Sequence, residues 1–310
     1  MSWFGWGREE NTVTYGKYVA YSSYDPGMFL ACSQEKIVVN GGEGGSFLAL
    51  DAASLEKIGY ISGHEKRVKS VSFSRCGRRL VSCSSDTIRV WDLTCMKEIL
   101  RVGSVGEIDF ACFHIDDKRL ILIESGSLYV YENGKKRIIA GSPKIRRAKI
   151  SPSGNILGYG CGAVAMWDAE KEVKIWETPL AASFVSFSSK GENVAIASQK
   201  DIQITVLDTS TGGKNKTLSP SRETRGLFFL DDKLISLNHN RLKVWDCHSG
   251  IDRDTVSIAG EYLVVSPLPT SSGVIVAGIR YSHHGSGRFP PPISKYFVKL
   301  LSTKEVFNVD

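Results

Sequence analysis

Residues 63–92 read GHEKRVKSVSFSRCGRRLVSCSSDTIRVWD, and the way this stretch divides decides the architecture. Three runs rich in Val, Ile and Leu (VKSVSF, RLVSC and IRVWD) are separated by turn-forming residues, and a fourth, KEILRV, follows. Each run has the length of a strand, and none extends into a helical period. The closing pattern recurs along the chain. FLALD ends at Asp51, IRVWD at Asp92, LYVYE at Glu132, VAMWD at Asp168, ITVLD at Asp208 and LKVWD at Asp246, in steps of 41, 40, 36, 40 and 38 residues. A seventh, degenerate ending, YFVKLLS, reaches Ser302 after 56 residues. Self-similarity at this period marks a repeat architecture.

The stretch 63–92 resembles the WD40-repeat family of β-propellers in its Gly63-His64 pair, its V-x-x-V-x-F strand and its Trp91-Asp92 ending. The resemblance runs from about residue 12 to residue 310. It implies an all-β fold, a seven-bladed β-propeller of four-stranded antiparallel blades, behind an aromatic N-terminal tail at 1–11. Seven repeats average about 43 residues, inside the range of this repeat. The resemblance also implies a structural tetrad of His64, Ser82, Asp86 and Trp91. Such a network satisfies polar groups that a packed blade would otherwise strand. Trp167-Asp168 and Trp245-Asp246 persist without a matching Gly-His, and their indoles read as packing between blades. Closure of the ring is expected from TVTY (12–15) or YVAYS (18–22) beside EVFNV (305–309).

Composition agrees with a folded chain. The 310 residues are 42% hydrophobic and 23% charged, which excludes a disordered, collagen-like or disulfide-scaffold protein. Thirty-nine basic against 33 acidic side chains leave +6, too little by itself to call for nucleic acid. No stretch approaches the roughly 18–20 apolar residues that span a bilayer, so no transmembrane segment is expected. MSWFGWGREE lacks the basic and apolar regions of a secretory signal. The seven cysteines include no C-x-x-C pair and read as reduced thiols, which points to a soluble cytoplasmic or nuclear protein.

Three features are candidates for binding. Trp3, Phe4 and Trp6 crowd the N-terminal tail, where exposed aromatics need a surface to dock on, either the disc itself or a partner's groove. The long insertion around 280–294, RYSHHGSGRFPPPIS, falls between the second and third strands of the last repeat. It offers Arg280, His283, His284, Phe289 and Pro291 as partner contacts. The prolines favour an extended docking strip, and adjacent histidines point apart, so no metal site is expected. The third feature is the stretch 135–149, KKRIIAGSPKIRRAK, with Lys135, Lys136, Arg137, Lys144, Arg146, Arg147 and Lys149 and no acid. It bridges the outer strand of the third blade and the inner strand of the fourth, and would attract phosphate or an acidic partner at the rim.

No nucleophile elbow, HExxH, C-x-x-C or phosphate loop appears, so neither an enzyme nor a cofactor is expected. Gly41-Gly42-Glu43-Gly44-Gly45 reads as a tight turn in the first blade. The expected function is a protein–protein interaction scaffold, a subunit or adaptor of a larger intracellular complex. The alternative is binding of RNA or phosphoinositide through the basic rim. A minor alternative rests on VVNGGEGG, which is similar to the glycine-rich first blade of Sec12-type exchange factors for a small GTPase.

Overall fold

The repeated runs are strands in the computed structural model of the chain. Side chains are described for residues 45–246, apart from 52–55, 86, 105, 142–144, 199–201, 221–222, 231–232 and 239–240; outside that span the strands are described by backbone alone.

β1 (Phe4–Glu9) and β2 (Thr12–Gly16) come first. The first sheet holds β3 (Met28–Cys32), β4 (Lys36–Gly41), β5 (Gly45–Asp51) and β6 (Lys57–His64). The second holds β7 (Val68–Phe73), β8 (Arg79–Ser84), β9 (Thr87–Asp92) and β10 (Lys97–Gly103). The third holds β11 (Ile108–Phe113), β12 (Leu120–Glu124), β13 (Ser127–Glu132) and β14 (Lys135–Gly141). The fourth holds β15 (Ile145–Ile150), β16 (Ile156–Gly160), β17 (Val164–Asp168) and β18 (Val173–Thr178). The fifth holds β19 (Phe184–Phe187), β20 (Asn193–Ala197), β21 (Ile204–Asp208) and β22 (Lys214–Leu218). The sixth holds β23 (Gly226–Leu230), β24 (Lys233–Asn238), β25 (Arg241–Trp245) and β26 (Asp252–Ser257). β27 (Glu261–Pro267), β28 (Gly273–Tyr281) and β29 (Ile293–Ser302) complete the chain.

Each of the first six sheets is an antiparallel meander of four strands in chain order. The first strand of one sheet lies beside the first strand of the next: β3 by β7, β7 by β11, β11 by β15, β19 by β23, β23 by β27, and β27 by β3. Lys149 of β15 bridges to the Val185 carbonyl of β19. The sheets therefore close into a ring, first strands inside and fourth strands outside: a β-propeller.

Burial follows from that placement. The middle strands are covered on both faces, so Phe47, Leu48, Ala49 and Leu50 of β5 are buried in succession, as are Leu120–Glu124 of β12. The outermost β10 instead alternates half-buried and exposed positions, the pattern of a strand with one face in water. Apolar clusters fill the gaps between sheets. One joins Ile121, Ile123 and Leu128 of the third sheet to Ile145, Ala148 and Trp167 of the fourth.

The last sheet runs β27, β28, β29, β2, β1. TVTY does complete it, but the strand it pairs with is the degenerate ending rather than EVFNV: Thr12 faces Lys299 and Gly16 faces Lys295. Residues 305–309 lie outside the described residues. Part of the expected tail is itself a strand, since β1 pairs with β2. The outer edge of β2 would otherwise present a row of unmade backbone hydrogen bonds. The loop 282–292 joins the second and third strands of this sheet, as its spacing suggests, and 42–44 joins β4 to β5.

Candidate functional site

His64, at the end of β6, meets Ser82 of β8 and Trp91 of β9. Trp91 Nε1–H donates to Ser82 Oγ at 2.8 Å, and Ser82 Oγ lies 2.7 Å from His64 Nε2. Nδ1 of the same ring is 3.1 Å from Thr87 Oγ1. With the imidazole proton on Nδ1, the chain runs Trp91 to Ser82 to His64 to Thr87, each hydroxyl donating and accepting. Asp86 lies outside the described residues. Gly63 is required by packing: a Cβ there would stand 2.5 Å from Arg89 Nη1 and 2.8 Å from Trp91 Cη2. The sixth sheet repeats the indole bond, with Trp245 Nε1–H donating to Ser236 Oγ at 2.9 Å. His64, Ser82, Trp91, Ser236 and Trp245 are all buried, so these networks hold blades together and present nothing to a ligand.

The basic stretch does not form one patch. Lys135, Lys136 and Arg137 lie on β14, outermost in its sheet, whereas Arg146, Arg147 and Lys149 lie on β15, innermost in the next. Lys144 is outside the described residues. Several of the charges are already matched. Lys136 pairs with Glu124, and Arg137 pairs with Glu172 of the neighbouring sheet at 2.7 Å. Arg146 pairs with Asp109 at 3.1 Å.

A second charged feature was hidden in the sequence. Pairing of β7 with β8 shifts between Val68 and Ser70, that of β11 with β12 between Ile108 and Phe110, and that of β15 with β16 between Ile145 and Arg147. The residue displaced by each bulge is Lys69, Asp109 and Arg146 in turn. A bulge re-aims its side chain, and the three meet across successive inner strands. Lys69 Nζ is 3.7 Å from Asp109 and 2.6 Å from Glu107 in the turn ahead of β11, and Arg146 Nη1 completes the row on Asp109. Lys69 also pulls the Glu107 carboxyl below its usual range, chiefly through their hydrogen bond. The row sits where the inner strands begin, at the same end of the ring as His64. Further along β15, Lys149 is crowded by protein, which draws its ammonium down to about 8, although the side chain remains wetted.

Among the described residues, the exposed large apolar side chains stand on the outer rim, apart from Ile202 in the turn ahead of β21. Ile58 and Tyr60 stand on β6, Ile99 on β10, Ile138 on β14, and Val173 and Ile175 on β18, with Ile138 as much as 59% exposed. Phe4 and Trp6 fall in β1 and Arg280 in β28, known by backbone alone. Trp3, His283, His284, Phe289 and Pro291 lie outside the described residues.

Among the described residues, no group of three or more His, Cys, Asp or Glu side chains is placed to hold a metal ion. Cys76, Cys83, Cys95, Cys112 and Cys161 are free thiols. Burial pushes Cys83 up to about 11 and Cys112 up to about 12, so neither is a nucleophile. No described helix is long and apolar enough to cross a membrane.

Residues 55–92 match the family model of the WD domain, G-beta repeat. No curated protein sequence matches the chain. Among solved structures, the chain is similar to the β-propeller domain of Cps50 (Swd1) from Myceliophteria thermophila, with a TM-score of 0.71 at 15% identity, over 89% of this chain and 96% of that one. In all, 1706 chains of solved structures match, too many for the fold to point to one activity.

Proposed function

We propose that this β-propeller, with a WD40 repeat at residues 55–92, is a non-enzymatic scaffold that joins protein partners, as a subunit or adaptor of an intracellular assembly. Its seven sheets serve as seven blades of a rigid disc. The observation that carries this reading is the rim. Ile99, Ile138, Val173 and Ile175 stand out on the outermost strands of three successive sheets, β10, β14 and β18, where the fold has no use for them. Repeated exposed apolar side chains on a rigid surface are a docking surface for protein. The N-terminal aromatics and the 280–294 insertion would add to it. Free thiols in the described part of the chain suit a reducing compartment.

The experiment is a tagged capture from nuclease-treated native lysate, washed at low and high salt, with the wild type beside an Ile99→Glu/Ile138→Glu variant. A stoichiometric protein set should survive high salt on the wild type and be lost from the variant, while both melt alike. A captured set that does not distinguish the two removes the rim from the reading. Recovery that collapses with nuclease or salt moves the function to a phosphate-bearing ligand.

A further inference from the structure

The row of charges on the inner strands is incomplete. Lys69, Asp109 and Arg146 alternate cation, anion, cation across β7, β11 and β15. The next inner strand, β19, pairs with β20 without a bulge and carries no charged side chain, and neither does β23 after it. The alternation stops on Arg146, and two more cations stand on the same strand. Arg147 is exposed and makes no hydrogen bond or ion pair with a described residue. Among the described residues, Lys149 donates only to the Val185 carbonyl, at 3.0 Å, which leaves the other N–H groups of its ammonium for a ligand. Over β7, β11, β15, β19 and β23 there are four cations, Lys69, Arg146, Arg147 and Lys149, against one carboxylate, Asp109. Glu107 adds one more just ahead of β11.

We propose that Arg147 and Lys149 hold an extended acidic peptide segment of a protein partner on the inner wall of the ring, its carboxylates taking the place that β19 leaves empty. This rests on the scaffold function above and names the chemistry of one partner. Arg147 offers a planar fork to a carboxylate, and Lys149 a point charge behind it. A membrane surface or a nucleic-acid duplex is too broad to reach a side chain bonded across from one inner strand to the next, whereas a single extended chain is not.

The test is fluorescence anisotropy of a labelled oligoglutamate peptide titrated with the full chain at low salt, with oligolysine and a single-stranded oligoribonucleotide as the other probes. The wild type should bind oligoglutamate in preference to both. Arg147→Ala should weaken it about tenfold, the worth of one charge-assisted contact. Arg147→Glu/Lys149→Glu should abolish it and take up oligolysine instead. Lys214→Glu, the same change of sign at an exposed position on outermost β22, should bind as the wild type does. Oligoglutamate binding unchanged in the double variant, no binding by the wild type, or a preference for the oligoribonucleotide each overturns the proposal. The lysate capture separates this from the scaffold reading: partners held on the rim without oligoglutamate binding sink only the inner site. Oligoglutamate binding without any stoichiometric partner sinks the scaffold.

Discussion

Ser82 accepts from one ring and sits against another, so its hydroxyl has no substitute at that position. Ser82→Ala would leave Trp91 Nε1 and His64 Nε2 buried without this partner. Leaving such groups unmatched costs about 1–3 kcal/mol, to be read from denaturant midpoints of wild type and variant. Trp91→Ala should cost more, about 3–5 kcal/mol, because a large buried side chain leaves a cavity. The corresponding position under Trp167 is Gly158, and restoring the serine there should not help. A Cβ on Gly158 would stand 2.9 Å from Trp167 Cζ3 and 3.2 Å from an Ile145 methyl. Gly158→Ser is therefore expected to destabilise by about 1–3 kcal/mol through overpacking, and a raised melting temperature would show that the indole has room to move. His64, Ser82 and Trp91 could be named because WD40-like spacing survives at 63–92. The second indole–hydroxyl bond, Trp245 to Ser236, has the same separation of nine residues as Trp91 to Ser82 and was open to the same reading. The close approach at Gly158 was not, since it depends on how two sheets pack.

The acidic residue that ends the third strand of so many sheets has a local task. Asp92, Asp168 and Asp208 each accept backbone N–H groups two or three residues on, from Thr94, from Glu170 and Lys171, and from Ser210 and Thr211. They thereby fold the turn into the outermost strand. The third sheet has Glu132 instead and manages without the cap. Its turn is Asn133-Gly134, both at positive φ, a two-residue hairpin that closes by backbone geometry alone. These bonds favour the ionised carboxylates. The Thr94 hydroxyl and N–H hold Asp92 below its ordinary value, the Lys171 and Glu170 N–H groups hold Asp168, and the Ser210 hydroxyl with Thr211 holds Asp208. A depressed carboxyl gives stability that is present above its unfolded pKa, about 3.9, and lost as pH falls further. The melting temperature should thus be flat from neutral pH down to about 4 and drop below it, and Asp208→Ala should flatten part of that drop. A further element signal lay unread in the chain: Ser74-Arg75-Cys76-Gly77, Ser151-Pro152-Ser153-Gly154 and Ser188-Ser189-Lys190-Gly191 are one turn repeated, closed by Gly N–H to Ser carbonyl. The bulges that aim Lys69, Asp109 and Arg146 left no such trace, because a bulge is a property of two paired strands rather than of one.

For the whole molecule, the 40-residue rhythm was enough to read a ring of antiparallel sheets, because each unit buries its faces only against neighbours. The manner of closure was harder. YFVKLLS lost the Trp-Asp signature, so the strand that receives the N-terminus was assigned to EVFNV instead. The basic stretch reads in sequence as bridging the outer strand of one blade and the inner strand of the next, and its two halves do fall on outermost β14 and innermost β15, which keeps them from forming one patch. Removing residues 1–9 takes away β1 but leaves β2 paired with β29, and should leave a single cooperative melt. Removing 1–16 opens the last sheet, and should lower and broaden the transition or bring aggregation, checked by calorimetry and light scattering. The closure also sets a timetable for synthesis. β2 is made well before its partner β29, with residues 17–292 between them. At about 5–20 residues per second a ribosome needs roughly 15–60 s to supply the intervening chain. For that interval β2 and its aromatic neighbours wait without their partner strand. During synthesis, then, the last sheet is held open at one edge, and that edge is exposed to pairing with other chains until β29 arrives.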